Sequence, residues 1–228
     1  MKGLFCMTPQ ISEPAGGRGG AARVESSSSS FSFIDLTAGA GSESKPLDID
    51  PAFSFLTGLP GIRTLLFRDS CNGLVLFEHR DKEPRSGRRG YIVCNPTTKE
   101  WKAVPTCGSP SRTALTYPYL AFDPAVSTHF HLVQFQVGDD EEFLSVHAFS
   151  SETGAWSDNQ IDHGWRQVSF YLGAPQPCPF VNGFLHLVVW DAGQLKIAAL
   201  DVQGKATGMK ITVPPVDDGS HRHSALFR

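Results

Sequence analysis

The sequence predicts an all-β chain. Three observations lead there: strand-length apolar runs set between closely spaced turn signals, no helical periodicity sustained over ~12 residues, and a strand-and-turn unit that recurs along the chain. Its 228 residues include 22 Gly, 16 Pro and 16 Phe. Charged residues make up 19%, against roughly 25% in an average globular protein. This loop-rich, Phe-rich composition excludes a wholly disordered or fibrous chain.

Taken in order, residues 1–60 read as a linker-like, partly disordered arm. The stretch Thr8–Ser30 holds GGRGG (Gly16–Gly20) and a serine run (Ser26–Ser30) and has no apolar periodicity, so it cannot offset its ordering entropy. Phe31–Leu36 (FSFIDL) alternates apolar and polar residues and predicts a strand; Phe53–Leu56 (FSFL) reads as another. From Gly61 onward the runs shorten. Leu65–Phe67 and Leu74–Glu78 flank Asn72-Gly73, a pair that tolerates the positive φ angles of a two-residue type I′ hairpin. Further strands are expected at Tyr91–Cys94, Leu120–Phe122, Phe130–Val137, Phe143–Phe149, Phe180–Val181, Phe184–Trp190 and Leu195–Leu200.

Three segments superpose: VCNPTTKEW (Val93–Trp101), AFSSETGAW (Ala148–Trp156) and ALDVQGKAT (Ala199–Thr207). Each is an apolar strand end, a polar turn, then Trp101, Trp156 or, in the weakest copy, Thr207. A second element, an Asn-Gly turn opening an apolar strand, recurs at Asn72-Gly73 and Asn182-Gly183. A period near ~50 residues with four short strands per unit matches a kelch-like β-propeller blade better than a β-sandwich. The predicted fold is an incomplete propeller of about three four-stranded blades over residues 61–215, with 216–228 a truncated tail at the start of a further blade. Inner strands of a blade are covered on both faces, as the apolar run Phe184–Trp190 suggests, and a Trp beyond a turn can pack between blades while its N–H finds an acceptor. Three blades of an unclosed ring leave two faces open and invite self-association.

The ordered set SCNGLVLF, YIVCNPTTKEWKAVP, YLAFDPAVSTHFHLVQF, FLSVHAFSSETGAWS, and FVNGFLHLVVWD with IAALDVQGK resembles the F-box-associated β-propeller region of plant F-box proteins. Upstream, GLFCMTP, FSFIDL and DPAFSFL are similar to that family's segment between the F-box and the first blade, so the resemblance covers nearly the whole chain. It implies a substrate-recruiting module of a ubiquitin ligase. In that family a helical F-box of about forty residues docks the ligase adaptor and the propeller captures the target. No leucine-rich helical segment opening with Leu-Pro precedes the blade motifs here, so the docking half is expected to be missing.

The chemistry-bearing residues read as structural. His129-x-His131 has metal-ligand spacing on a strand, but His131 shares parity with Val133, Phe135 and Val137 and no Cys or carboxylate follows at matching spacing. His221-x-His223 lies in a polar tail. His147 and His186 sit in apolar strands, and nothing beside Cys94 activates a thiol. Cys6, Cys71, Cys94, Cys107 and Cys178 are odd in number and never spaced C-x-x-C, which predicts a reducing compartment, cytoplasmic or nuclear. The basic run Arg80–Arg89 and the acidic run Asp139–Glu142 read as solvated hairpin loops and are the first regions to test for partner binding.

No apolar run reaches the ~20 residues of a membrane span, and Gly3–Met7 is too short for a signal-peptide core. A net charge of −3 gives no nucleic-acid or membrane-surface signal. The expected function is non-enzymatic protein interaction: no catalytic residue, no cofactor, no metal, an unidentified target protein, and a ligase adaptor only where an F-box is present. The alternatives are an enzyme or carbohydrate-binding protein on a propeller-like scaffold, or a gene fragment without selected function.

Overall fold

The computed structural model describes residues 3–9, 29–35, 50, 52–81, 89–107, 115–138, 143–159, 168–170, 178–191 and 194–212. At the start, β1 (Gly3–Pro9) pairs antiparallel with β2 (Ser29–Asp35). The FSFIDL alternation falls on β2, whereas GLFCMTP has no such pattern; its strand state comes from its partner. The GGRGG segment lies outside the described residues, as do residues 216–228.

Phe53–Leu56 is not a strand. Ser54–Thr57 forms α1, a single helical turn that Asp50 ties down by accepting the N–H groups of Ala52 (3.0 Å) and Ser54 (2.6 Å) and the Ser54 hydroxyl. These bonds, the Ser54 hydroxyl foremost, hold the Asp50 carboxyl below its ordinary value. FSFL imitates strand alternation, but a helical turn brings residues three apart to one side. Phe53 and Leu56 are both buried there.

The first blade is a meander of β3 (Ile62–Cys71), β4 (Leu74–Asp81), β5 (Arg89–Cys94) and β6 (Trp101–Val104). Asn72 (φ 45°) and Gly73 (φ 88°) make its first turn, both in the left-handed region that a two-residue hairpin requires. The second blade repeats the order with β7 (Leu115–Ala121), β8 (His131–Val137), β9 (Phe143–Ser150) and β10 (Ala155–Asn159). Pro118 lies in β7, which pairs with β8 alone, an edge position where a missing N–H is tolerated.

In the third blade the inner position is split between β11 (Val168–Phe170) and β12 (Phe180–Val181), which pair with opposite ends of β13 (Phe184–Asp191). The blade continues with β14 (Gln194–Leu200) and β15 (Ala206–Thr212). Register corrects the third copy of the repeat. Cys94 pairs with Trp101, Phe149 with Trp156, and Leu200 with Ala206, so Ala206 and not Thr207 holds the Trp position, after a turn one residue shorter. All three turns place a positive φ near their end, at Lys99, Gly154 and Gly204.

The chain is thus all-β, with three four-strand-wide blades stacked in sequence order. Each blade has a leading face, which carries Trp101 in the first and Trp156 in the second, and a trailing face, which in the first two lies toward the next blade. Leu76, Tyr91, Val93 and Val104 on the first trailing face pack against Leu120, Phe130, Leu132 and Phe149. Tyr119, Val133, Phe135 and Val146 on the second pack against Leu185, Leu187, Val189, Ala198 and Leu200 of the third. Burying side chains of this size contributes about 1.5–3 kcal/mol each. The first blade's leading face is covered over its inner strands. Phe53 and Leu56 of the α1 segment cover Val75, Phe77, Ile92 and Cys94 there.

Candidate interaction surfaces

The joint between the first two blades is polar at its inner end. The Asp69 carboxylate accepts the Leu120 N–H across the joint (2.8 Å) and the Ser70 N–H within its own strand (2.8 Å). Burial outweighs both bonds and pushes the Asp69 carboxyl up to about 6. Beside it the Asn72 amide donates to the Phe122 carbonyl (2.7 Å), so Asn72 serves both its turn and the neighbouring blade. Deeper in the same joint, the Tyr91 hydroxyl donates to the buried Gln134 amide oxygen (2.9 Å). Farther out, Lys102 Nζ donates to the Ser151 carbonyl (2.6 Å).

Trp156 closes the outer end. Its ring packs beside Phe149 and its Nε1–H donates to the Pro105 carbonyl, 2.7 Å away in the segment that follows the first blade. Trp101 holds the equivalent place on the first leading face, where α1 covers the inner strands, and stays 45% exposed. Asn182 and Gly183 repeat the Asn72-Gly73 turn, with φ of 53° and 84°.

The histidines and thiols are spread across the sheets. His131 ends the row containing Val133, Phe135 and Val137, and burial chiefly lowers its pKa while Glu152 raises it and His129 lowers it further. Among the described residues no three His, Cys, Asp or Glu side chains come together as a metal site; His221 and His223 lie outside them. His147 shares a 2.9 Å hydrogen bond with Ser145, and His186 Nδ1 lies 3.4 Å from the Pro179 carbonyl. Cys71, Cys94, Cys107 and Cys178 are free thiols. Burial raises Cys71 to about 11 and Cys94 to about 12, and it raises Cys178 as well. A thiol held protonated in this way is a poor nucleophile.

Two further surfaces lie outside the joints between described blades. The meander puts the β4–β5 and β8–β9 connections at the end of the blades opposite the Asn-Gly turns. These connections carry the charged runs; residues 82–88 and 139–142 lie outside the described residues, and Arg80 pairs with Arg89 at the base of the basic one. The second surface is the third trailing face. Along β13 burial alternates: Leu185, Leu187 and Val189 are buried against the second blade, whereas Phe184, His186 and Val188 are half-buried and Trp190 is exposed. The sequence expectation that both faces of this strand are covered therefore holds for one face only, because no described strand packs against the other.

The repeat, the turn geometry and the stacking order agree with comparison to known families: residues 40–226 match the β-propeller family described as F-box protein At3g26010-like. The chain belongs to that family. No curated protein matches it. All three blades of this family member fall within the matched residues, as do Asn72, Gly73, Trp101, Trp156, Asn182 and Gly183. Sequence reasoning missed Asp69 and Gln134. Gln134 stands between Val133 and Phe135, Asp69 lies in the polar run Arg68-Asp69-Ser70, and the role of each depends on a partner in the neighbouring blade.

Proposed function

We propose that this chain is a non-enzymatic protein-interaction module that captures a target protein, the role a propeller plays when it recruits substrates to a ubiquitin ligase. The observation that carries this reading is the family match across residues 40–226, laid over three consecutive blades. Loops at the ends of a rigid β scaffold are where such domains bind partners. Support comes from the chemistry-bearing groups as well: burial pushes the Cys71, Cys94 and Cys178 thiols toward the protonated form, and His147 is hydrogen-bonded within its own strand. Cysteines scattered without C-x-x-C spacing suit a reducing compartment, and we place the protein in the cytoplasm or nucleus. No described helix is long and apolar enough to cross a membrane.

The reading has the chain binding its target through the loops at the ends of its blades. Affinity capture with the full chain, beside a variant carrying Arg85→Glu, Arg88→Glu and Arg89→Glu, tests it. A protein retained by the wild type and lost by the variant is the expected result. Identical capture by both proteins overturns it.

A further inference from the structure

We propose that the joint between the first two blades, at its inner end, binds the main chain of an extended, uncharged peptide segment through Arg68 and Gln134. The proposal deepens the target-capture reading and rests on it. The two joints of the stack differ in chemistry. The buried cluster between the second and third blades is hydrophobic throughout, whereas Glu78 and Gln134 are buried between the first and second. By register Glu78 stands where the other blades carry Phe135 and Val188, and Gln134 stands where they carry Phe77 and Leu187. Hydrophobic residues therefore suit both places in a blade, and stacking does not call for polar ones. Burying a polar group is costly, so the polarity of this joint points to a role other than packing.

A bulge aims the cation. The pairing of β3 with β4 slips between Phe67 and Asp69, which makes Arg68 an extra residue; β7, the corresponding strand, pairs with β8 without a slip. Bulges of this kind re-aim a side chain and recur beside functional sites. Arg68 Nε donates to Glu78 Oε2 (2.9 Å) and its Nη2 donates to the same oxygen, while Nη1 has no hydrogen-bond partner among the described residues. The Gln134 Oε1 is taken by the Tyr91 hydroxyl, and its Nε2 likewise has no partner among the described residues. Val104, Tyr91, Glu78 and Leu66 form one row across the first trailing face. The first three are buried and Leu66, on the inner strand, is 37% exposed. The joint is thus sealed at the outer strand and opens at the inner one, where the Arg68 side chain is 28% exposed.

The open groups select the ligand. Both are donors, so the occupant brings acceptors. Glu78 already neutralises Arg68, and Gln134 and Tyr91 carry no charge. A carboxylate or phosphate drawn into this joint would lose its water without gaining a counter-charge. Peptide carbonyl oxygens meet both donors without that cost, and exposed Leu66 at the mouth offers contact to an apolar side chain of the same segment.

The test uses two double variants that make the joint hydrophobic, Arg68→Met with Glu78→Leu and Tyr91→Phe with Gln134→Leu. Replacing both partners of a buried pair by apolar groups of similar size leaves stability unaltered or raises it, so the urea midpoint of each double is expected at or above that of the wild type. The probe is a phage-displayed library of short unstructured peptides panned on the full chain, with recovered peptides measured by fluorescence polarisation. The expected result is peptides that share an apolar residue, are not enriched in Asp or Glu, and bind each double roughly tenfold or more weakly than the wild type. Peptides that bind the doubles as they bind the wild type overturn this proposal and leave the capture reading standing; a wild type that retains no peptide overturns both. An acidic consensus overturns the uncharged ligand. Midpoints of both doubles below the wild type would mean that the polar pairs hold the blades together, which overturns the site.

Discussion

Asp69→Asn is expected to remove the loss of stability that the Asp69 carboxyl brings as pH rises from 4 to neutrality. The carboxylate is held where burial disfavours its charge, and its two backbone hydrogen bonds, from Leu120 and Ser70, compensate in part. Its pKa stands at about 6 in the fold against 3.8 for a free aspartate. Between those values the folded state binds more protons than the unfolded chain, so this group's contribution to stability falls as pH rises from 3.8 to 6 and is flat above. A shift of that size corresponds to about 3 kcal/mol at 1.36 kcal/mol per pKa unit. Asp69 keeps part of its surface, and relaxation of the partly wet site trims the figure to about 2 kcal/mol. Asparagine has one acceptor oxygen where Asp69 uses both, Oδ1 for the Ser70 N–H and Oδ2 for the Leu120 N–H, so the variant loses one of these bonds at a pH-independent cost of about 1–3 kcal/mol. The variant is thus expected to lie below the wild type by that amount at pH 4 and to gain about 2 kcal/mol on it by pH 7.5. Urea unfolding followed by tryptophan fluorescence at pH 4, 5, 6 and 7.5 measures it, provided the slope m is unchanged. A gap between the two proteins that is independent of pH, or that widens as pH rises, refutes the reasoning. Asp69→Ala separates charge from hydrogen bonding, because it leaves the Leu120 N–H without its acceptor at a cost of about 1–3 kcal/mol.

Tyr91→Phe strips the buried Gln134 oxygen of its donor across the joint and is expected to destabilise by about 1–3 kcal/mol, read as a lower urea midpoint at unchanged m. Phe149→Ala opens a cavity between the first two blades, where Phe149 is 1% exposed, at a cost of about 3–5 kcal/mol; calorimetry should show a large drop in melting temperature. Gly183→Val forces a β-branched residue to a φ of 84°, with an expected loss of about 1–3 kcal/mol in the same urea assay. Trp156→Phe keeps the ring beside Phe149 but loses the bond to the Pro105 carbonyl, which water can reach. A loss of no more than about 1 kcal/mol is expected, with a blue-shifted Trp156 component absent from the emission.

What was legible in the sequence was local or periodic. The Asn-Gly turns require two positive φ angles in succession, which few residue pairs tolerate, so Asn72-Gly73 and Asn182-Gly183 declared themselves without any partner. Inner strands such as β4, β8 and β13 are apolar at the positions they bury apart from Glu78 and Gln134, and their identity as strands follows from composition. The outer strands do not announce themselves: β6 is exposed at Trp101, Lys102 and Ala103 and buried only at Val104, so it lacks the alternation of a half-buried strand. FSFL misled for a related reason. In four residues a period of two and a period of 3.6 cannot be told apart, and the Asp50 bonds to Ser54, which decide for the helix, lie outside the apolar pattern.

The same misreading bears on the packing of the first blade. As a helical turn, α1 brings Phe53 and Leu56 onto Val75, Phe77, Ile92 and Cys94 of the first leading face, while Trp101 on that face stays exposed. Leu56 is fully buried there, so Leu56→Asp empties an apolar site and sets a carboxylate in it, with an expected loss of at least about 2–5 kcal/mol, read as a lower urea midpoint at unchanged m. An unchanged midpoint in Leu56→Asp protein would show that α1 does not hold this face in solution.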